Sequence, residues 1–435
     1  MCLHSRSGFY LRHRYIFERW QVGDSSVMRV VHLSTSETKG GAAIAAKRLV
    51  EAQRASGLDA SLLVLNRQTE ESFVHTLIPE PSSLAKRIRK YRELWATYLR
   101  NGRKLDHTLF ATSYPVAGFN LRKSIESLQP DLIHLHWINQ GFLSIASLER
   151  LAGLGKPLVW TLHDLWPVTA VAHHTPDVNG WMNAEHRSLA YRMGSRKADL
   201  YAQAKPCFVG CSRWISDEAR KSRLTTGCLV RHIANAADVS FHPFPQKEAR
   251  NRLGIPENGS IVLFGAANAQ DPRKGYLQLI ETMRALQQVQ NIPLPRIMVF
   301  GKADEATLRK DLNGFEIHFA GYVNRSEQMN LLYAASDLFF TPSLEENLPN
   351  TIIEAQLSGT PSVAFAVGGI PEIIDSPQAG HLVPPFDCRF AAQAIADLLE
   401  KNDSLDREAL HQNAEHRYHP DRIAQAYIDL YASFI

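Results

Sequence analysis

The sequence predicts an α/β protein of two doubly wound, Rossmann-like domains that face one another across a cleft. Three observations lead there. Short apolar runs without polar alternation recur along the chain, the pattern of strands covered on both faces by helices. They fall into two series, parted at 234–245 (ANAADVSFHPFP), where Pro and Asn interrupt the periodicity. With 435 residues, at roughly 150 per domain, the chain has room for two or three buried cores.

Residues 1–27 are basic and aromatic and lack the apolar core of a signal peptide, so they are expected to be an N-terminal extension outside the fold. The run 28–34 (MRVVHLS) reads as a strand, Lys39-Gly40-Gly41 as a tight turn, 42–56 as a helix and 58–65 (LDASLLVL) as the next strand. A strand, turn, helix and strand in this order announce a parallel sheet with crossover helices. Buried-strand runs follow at 132–137, 158–162 and 207–211, and a second set at 261–265, 296–301, 317–320, 338–341 and 362–365. The expected units are 28–238 and 239–420, with a final helix at 421–435 that crosses back toward the first unit. No period of 20–50 residues suggests a solenoid. Because such sheets bind ligands beyond the carboxyl ends of their strands, the turns after Ser34, Leu162, Gly265 and Thr341 are where chemistry is expected.

Composition narrows the function. Basic and acidic residues number 48 and 44, a net charge of +4, too weak a bias to argue for a nucleic-acid partner. The five cysteines are odd in number and scattered, which fits a reducing cytoplasm better than a disulfide scaffold. No apolar run approaches the roughly 18 residues of a membrane span. One local exception stands out between Ser83 and Lys104. There Lys86, Arg87, Arg89, Lys90, Arg92, Arg100, Arg103 and Lys104 oppose Glu93 alone, with Leu84, Ile88, Tyr91, Leu94, Trp95, Tyr98 and Leu99 at helical spacing. Two readings stay open: an interfacial helix on an anionic membrane, or a solvated face over an ordinary core stripe.

The densest motif is 342–360 (PSLEENLPNTIIEAQLSGT). Glu346 and Glu354 stand eight apart, and a helix starting near Asn350 offers the unpaired amides of Asn350 and Thr351 as an anion site. Glu354 can accept hydrogen bonds from a vicinal diol such as ribose. Taken with 361–374, the string closely resembles the donor segment of the retaining GT-B glycosyltransferases of family 4. Pro342, Ser343, Glu346, Pro349, Glu354, Ala355, Gly359 and Pro361, then Gly368, Gly369 and Glu372, fill that pattern, with Ser362 where it carries Val. The resemblance implies a transferase that moves a sugar from a nucleotide diphosphate sugar to a glycan or lipid-linked acceptor, with retention and without a required metal or other cofactor. It assigns the donor to the carboxy-terminal domain and the acceptor to the amino-terminal one.

The resemblance extends further. Asn235, Asp238, Phe241 and Pro243 match the interdomain hinge, Gly40-Gly41 the glycine loop near the donor, and His163 a histidine that reaches the donor sugar. Lys274 matches the lysine that meets the diphosphate. The family's Arg about six residues earlier is missing; Asn268 lies nearest, with Arg273 as a substitute. The string 161–169 (TLHDLWPVT) is similar to the exopolysaccharide and lipopolysaccharide branch, implying a cytoplasmic enzyme, peripheral on the inner face of the membrane should the basic stretch be interfacial. Two rivals remain. His134 and His136, with His163, Asp164, His173 and His174, invite a metal-dependent hydrolase, although no ligand set recurs in the second half. The missing Arg keeps alive a catalytically silent sugar- or nucleotide-binding protein on the same fold.

Overall fold

The structure, a computed structural model, describes residues 27–100, 113–174, 177–186, 188–290, 292–323, 325–401 and 405–435. The expected extension, apart from Val27, lies outside them, as do Arg103 and Lys104 of the basic stretch.

Among the described residues, two wholly parallel sheets form the frame. The first has seven strands: β1 (Arg29–Ser36), β2 (Asp59–Asn66), β3 (Val74–His75), β4 (Leu132–Leu135), β5 (Leu158–Leu162), β6 (Cys207–Gly210) and β7 (Val230–His232), in the order β3-β2-β1-β4-β5-β6-β7. The second has six: β8 (Ile261–Asn268), β9 (Arg296–Lys302), β10 (Ile317–Gly321), β11 (Leu338–Thr341), β12 (Ser362–Phe365) and β13 (Gly380–Val383), in the order β10-β9-β8-β11-β12-β13. The central strands are apolar on both faces because helices cover both. Val30 pairs with Ala60 on one side and Leu132 on the other, and all three are buried. Strand order reverses between β1 and β4 and again between β8 and β11, so each sheet opens a crevice there at its carboxyl edge.

Three strands escaped the sequence pattern. β3 is two residues long, β7 (VRH) is half-exposed to exposed, and β13 (GHLV) joins Gly and His to two apolar residues. All three are outermost in their sheets, where one-sided pairing relaxes the need for an apolar run.

The helix Arg407–Tyr418 belongs to the second core through Leu410, Ala414 and Tyr418. The chain then turns at His419. Ile423, Tyr427 and Tyr431 of the helix Pro420–Ala432 sink into the first core beside Val30, Leu49, Leu62 and Val159. At the crossing the Ala237 amide donates to the Tyr418 carbonyl at 2.9 Å.

The basic stretch forms the helix Ser83–Arg100, but its stripe is no core. Leu84, Ile88, Tyr91, Trp95 and Leu99 are 48–65% exposed. The buried face is instead Glu93, Ala96 and Thr97. The Glu93 carboxylate accepts from the amides of Gln140 (3.1 Å) and Gly141 (2.6 Å), which ties the helix to the loop after β4 and hides its one acidic group. Of the two readings, the ordinary core stripe is excluded for the described part.

Candidate active site

The loops at the two crevices meet. After β1 the chain passes Glu37 and reaches Gly40, whose φ of 96° and ψ of 158° suit glycine almost alone. The helix Gly41–Ala55 starts at once, one residue earlier than its sequence suggests, and a side chain built at Gly40 or Gly41 would meet nothing within 4 Å. The glycine pair therefore keeps open space above a helix start. Glu37 holds this loop down: it pairs with Lys47 (2.8 Å) and accepts from the amides of Gln68 (2.6 Å) and Thr69 (2.9 Å) and from the Thr69 hydroxyl. Burial pushes its carboxyl up, but Lys47 and these donors outweigh that and bring it to about 2.

His163 and Asp164 follow β5. The Asp164 carboxylate accepts from the Trp137 indole (2.8 Å) and the Trp166 amide (2.9 Å) and lies 2.6 Å from His173 Nδ1. Burial raises its carboxyl, and the His173 contact together with these donors more than reverses the effect. Lys197, fully buried, caps the same loop from behind, donating to the carbonyls of Trp166 (2.6 Å) and Thr169 (2.9 Å). Burial drives its ammonium well down. So many partners leave the loop one shape, which fixes where His163 points. Burial also lowers His163 to about 4, partly opposed by Asp164.

In the second half, Asp271 caps a short turn through the Arg273 amide (3.0 Å), and Gly275 closes it at φ 77°. A Cβ on Gly275 would stand 1.8 Å from the Pro342 carbonyl oxygen, so only glycine lets this turn lie against the end of β11. Lys274 then reaches Glu346, Nζ to Oε1 2.5 Å. Beyond it the helix Asn350–Leu357 has no side-chain cap, and the amides of Asn350 and Thr351 take no partner among the described residues. Arg273 points toward the first half, to His174 Nε2 at 2.9 Å, while also pairing with Asp271. Asn268 caps its own turn through the Gln270 amide (3.2 Å).

The sequence residues thus come together as groups. Lys274 stands with Glu346, Arg273 with the loop that follows His163, and Asn350 with Asn235 of the linker (3.2 Å). Glu354 is held by a residue the sequence reading missed: Arg48, from the helix after the glycine pair, meets its Oε1 at 3.0 Å and Asp238 Oδ2 at 3.4 Å. Arg48 lies seven residues beyond Gly41, two helical turns on the same face, and that spacing was the available signal. Two more bridges span the cleft. Asn347 accepts from the Ser212 hydroxyl (2.6 Å) and donates to the Leu162 carbonyl (3.0 Å). Glu372 caps the helix Arg213–Lys221 through the amides of Arg213 (2.7 Å) and Trp214 (2.8 Å).

His134 and His136 do share a buried face, joined by His32, and the three bring one nitrogen each within 4.8 Å of one another. Every ring nitrogen of the three already has a hydrogen-bond partner within the protein, so an ion would have to displace those bonds.

A crevice at each sheet, a lysine and an uncapped helix start on one side and a glycine loop on the other define a class of two-domain protein built to hold an anionic ligand between its halves. Comparison with known proteins specifies it. Residues 39–241 match the family described as Glycosyltransferase Family 4, and residues 259–401 that described as Glycosyl transferases group 1. The chain belongs to this class of GT-B glycosyltransferases. Over 312 residues it is 27% identical to phosphatidyl-myo-inositol mannosyltransferase of Mycolicibacterium smegmatis, covering 70% of this chain and 71% of that one. It is 28% identical over 325 residues to D-inositol 3-phosphate glycosyltransferase of Salinispora arenicola, covering 70% and 69%. Anabaena HepE in complex with UDP has a similar fold, with a TM-score of 0.62, 18% identity and coverage of 93% of this chain and all of that one. Among the described residues no helix is long and apolar enough to cross a membrane.

Proposed function

We propose that the protein transfers a hexose from a nucleotide diphosphate sugar to a glycan or lipid-linked acceptor, with retention at the anomeric carbon, in surface polysaccharide synthesis. The observation that carries this reading is the pairing of Lys274 with Glu346 at the β8/β11 crevice, beside the uncapped helix start at Asn350. As the anomeric C–O bond breaks, charge grows on the leaving diphosphate. Lys274 and the amides of Asn350 and Thr351 stabilise it without a divalent metal. The acceptor oxygen bonds to the anomeric carbon on the same face, and its proton passes to the departing phosphate. No side chain serves as nucleophile. Glu346 and His163 meet the sugar, Glu354 meets the ribose, Gly40 and Gly41 leave room for the donor, and Arg273 adds positive charge beside it.

Two inositol-directed relatives and a UDP complex of a similar fold support the donor class and an acceptor bearing hydroxyls on a lipid or sugar phosphate. The helix Ser83–Arg100 supports a place at the cytoplasmic membrane face: six basic residues and five exposed apolar ones suit anionic lipid. Asn268 and the turn of Arg273 toward His174 favour a second reading, a silent sugar-nucleotide-binding protein.

A thermal-shift screen against UDP-, GDP-, ADP- and dTDP-sugars tests the proposal. One nucleotide sugar is expected to raise the midpoint by mass action, and transfer or slow hydrolysis of that donor separates enzyme from silent binder. No response to any of them refutes the donor class.

A further inference from the structure

His163 is the outer end of a buried row. Its Nε2 lies 3.0 Å from His136 Nδ1, His136 Nε2 lies 2.9 Å from His32 Nδ1, and His32 Nε2 lies 2.8 Å from Gln53 Oε1. Gln53 Nε2 reaches the Tyr431 hydroxyl at 3.0 Å, and that hydroxyl lies 2.6 Å from His134 Nδ1. Gln53, His32, His134 and His136 are all buried. A neutral imidazole donates through one nitrogen and accepts through the other, so the row has only two self-consistent proton orders, running in opposite directions.

The Gln53 amide chooses between them. Its Nε2 faces the Tyr431 hydroxyl and its Oε1 faces His32 Nε2. An amide oxygen only accepts, so the proton of that contact belongs to His32. The Tyr431 hydroxyl, accepting from Gln53, is left to donate to His134 Nδ1 at 2.6 Å. His32 donates through Nε2, His136 donates through Nε2 to His32, and His163 donates through Nε2 to His136. His163 Nδ1 is left as a lone-pair acceptor, and no described residue takes it. Burial lowers His32 to about 3 and His163 to about 4, and drives His134 and His136 well down, so the row carries no charge at neutral pH.

We propose that Gln53, His32 and His136 are positioning residues that fix His163 as its Nε2–H tautomer, so that Nδ1 accepts a hydroxyl proton of the donor sugar. This rests on His163 being a donor-sugar contact. The row makes that contact selective: a sugar position that can only accept a hydrogen bond finds no donor there.

The test uses the full chain labelled with 15N-histidine. Expected are protonated Nε2 and bare Nδ1 on His163, His136 and His32, with couplings across the two N–H···N bonds. His136→Gln can still accept from His163 and donate to His32, and is expected to keep the His163 signature. His136→Leu is expected to lose the Nε2–H bond and lower kcat/KM by about tenfold, the worth of one hydrogen bond, with the donor found in the thermal-shift screen. A protonated Nδ1 on His163 in the native protein, or equal losses in the Gln and Leu variants, overturns the proposal. Native transfer rates in His163→Ala, with both couplings present in the unmutated protein, overturn the role given to His163 and leave the proton order standing.

Discussion

The two sheets reverse their strand order at equivalent places but furnish them differently. At the β8/β11 crevice stand charges that face one another, Lys274 and Glu346, beside a bare helix start. At the first sheet the side chain offered is a neutral histidine, beside a glycine turn. The nearby charge of Asp164 is spent internally on Trp137, Trp166 and His173. On the proposed function, one crevice serves charge and the other serves shape and hydrogen-bond direction. Stabilising a leaving diphosphate takes a few groups held by adjacent loops. Orienting a neutral group takes a scaffold gathered from remote parts of the chain.

The largest expected effect breaks the charged side. Lys274→Ala should lower turnover by about 3–4 kcal/mol, on the order of a hundred- to a thousandfold, and weaken donor binding less, because the charge it meets grows toward the transition state. A change confined to KM would mean that Lys274 only holds the ground state. Glu37→Gln probes the anchoring of the first side and touches no proposed ligand. Its folded value of about 2 lies below the ordinary 4.5, so its contribution is complete above about pH 4.5 and lost as pH falls toward 2. At pH 7 the variant should be less stable by at most about 3 kcal/mol, and the gap to the native protein should close as acid denaturation is followed downward.

Arg48 joins the two sides. Arg48→Leu leaves the Glu354 carboxyl, already raised by burial, without its cation, and should lower stability on the order of 2 kcal/mol. Glu354→Gln added to it should recover much of that in a double-mutant cycle; additive losses would show that the pair is not coupled. The smallest effect per residue belongs to the exposed helix. Each of Arg87, Lys90 and Arg100 should add about 1 kcal/mol of attraction to phosphatidylglycerol vesicles, screened by salt. Replacing all three by Glu should end co-sedimentation yet spare transfer to a soluble acceptor. Native protein that stays in the supernatant at low salt would remove the membrane from the proposal.

The same contrast explains what was legible. Ten of the thirteen strands and the whole of 342–360 could be read because their signals are contiguous: an apolar run, or carboxylates at fixed spacing ahead of a helix. Glu346 belongs to that string, Lys274 was carried over from the family resemblance, and the two do meet. The histidine row could not be read, since Gln53, His136 and Tyr431 become neighbours only after three crossovers and the return of the last helix. The stripe at 83–100 stayed undecided in the sequence for the opposite reason. Helical period tells which residues share a face but not whether that face looks inward, and here Glu93, found by two backbone amides, took the inside.

The returning helix has a consequence for how the molecule comes into being. Tyr427 and Tyr431 complete a core whose other members begin at Met28, and Tyr431 supplies the hydroxyl that His134 and Gln53 need. During synthesis the first strand of the amino-terminal sheet therefore emerges about 400 residues, and its last strand about 200 residues, before the final wall does, at chain-growth rates of roughly 5–20 residues per second. Until then the buried histidines have an open side. The half of the enzyme made first is the half finished last, and a chain cut at His419 would keep its second sheet whole and leave its first unsealed.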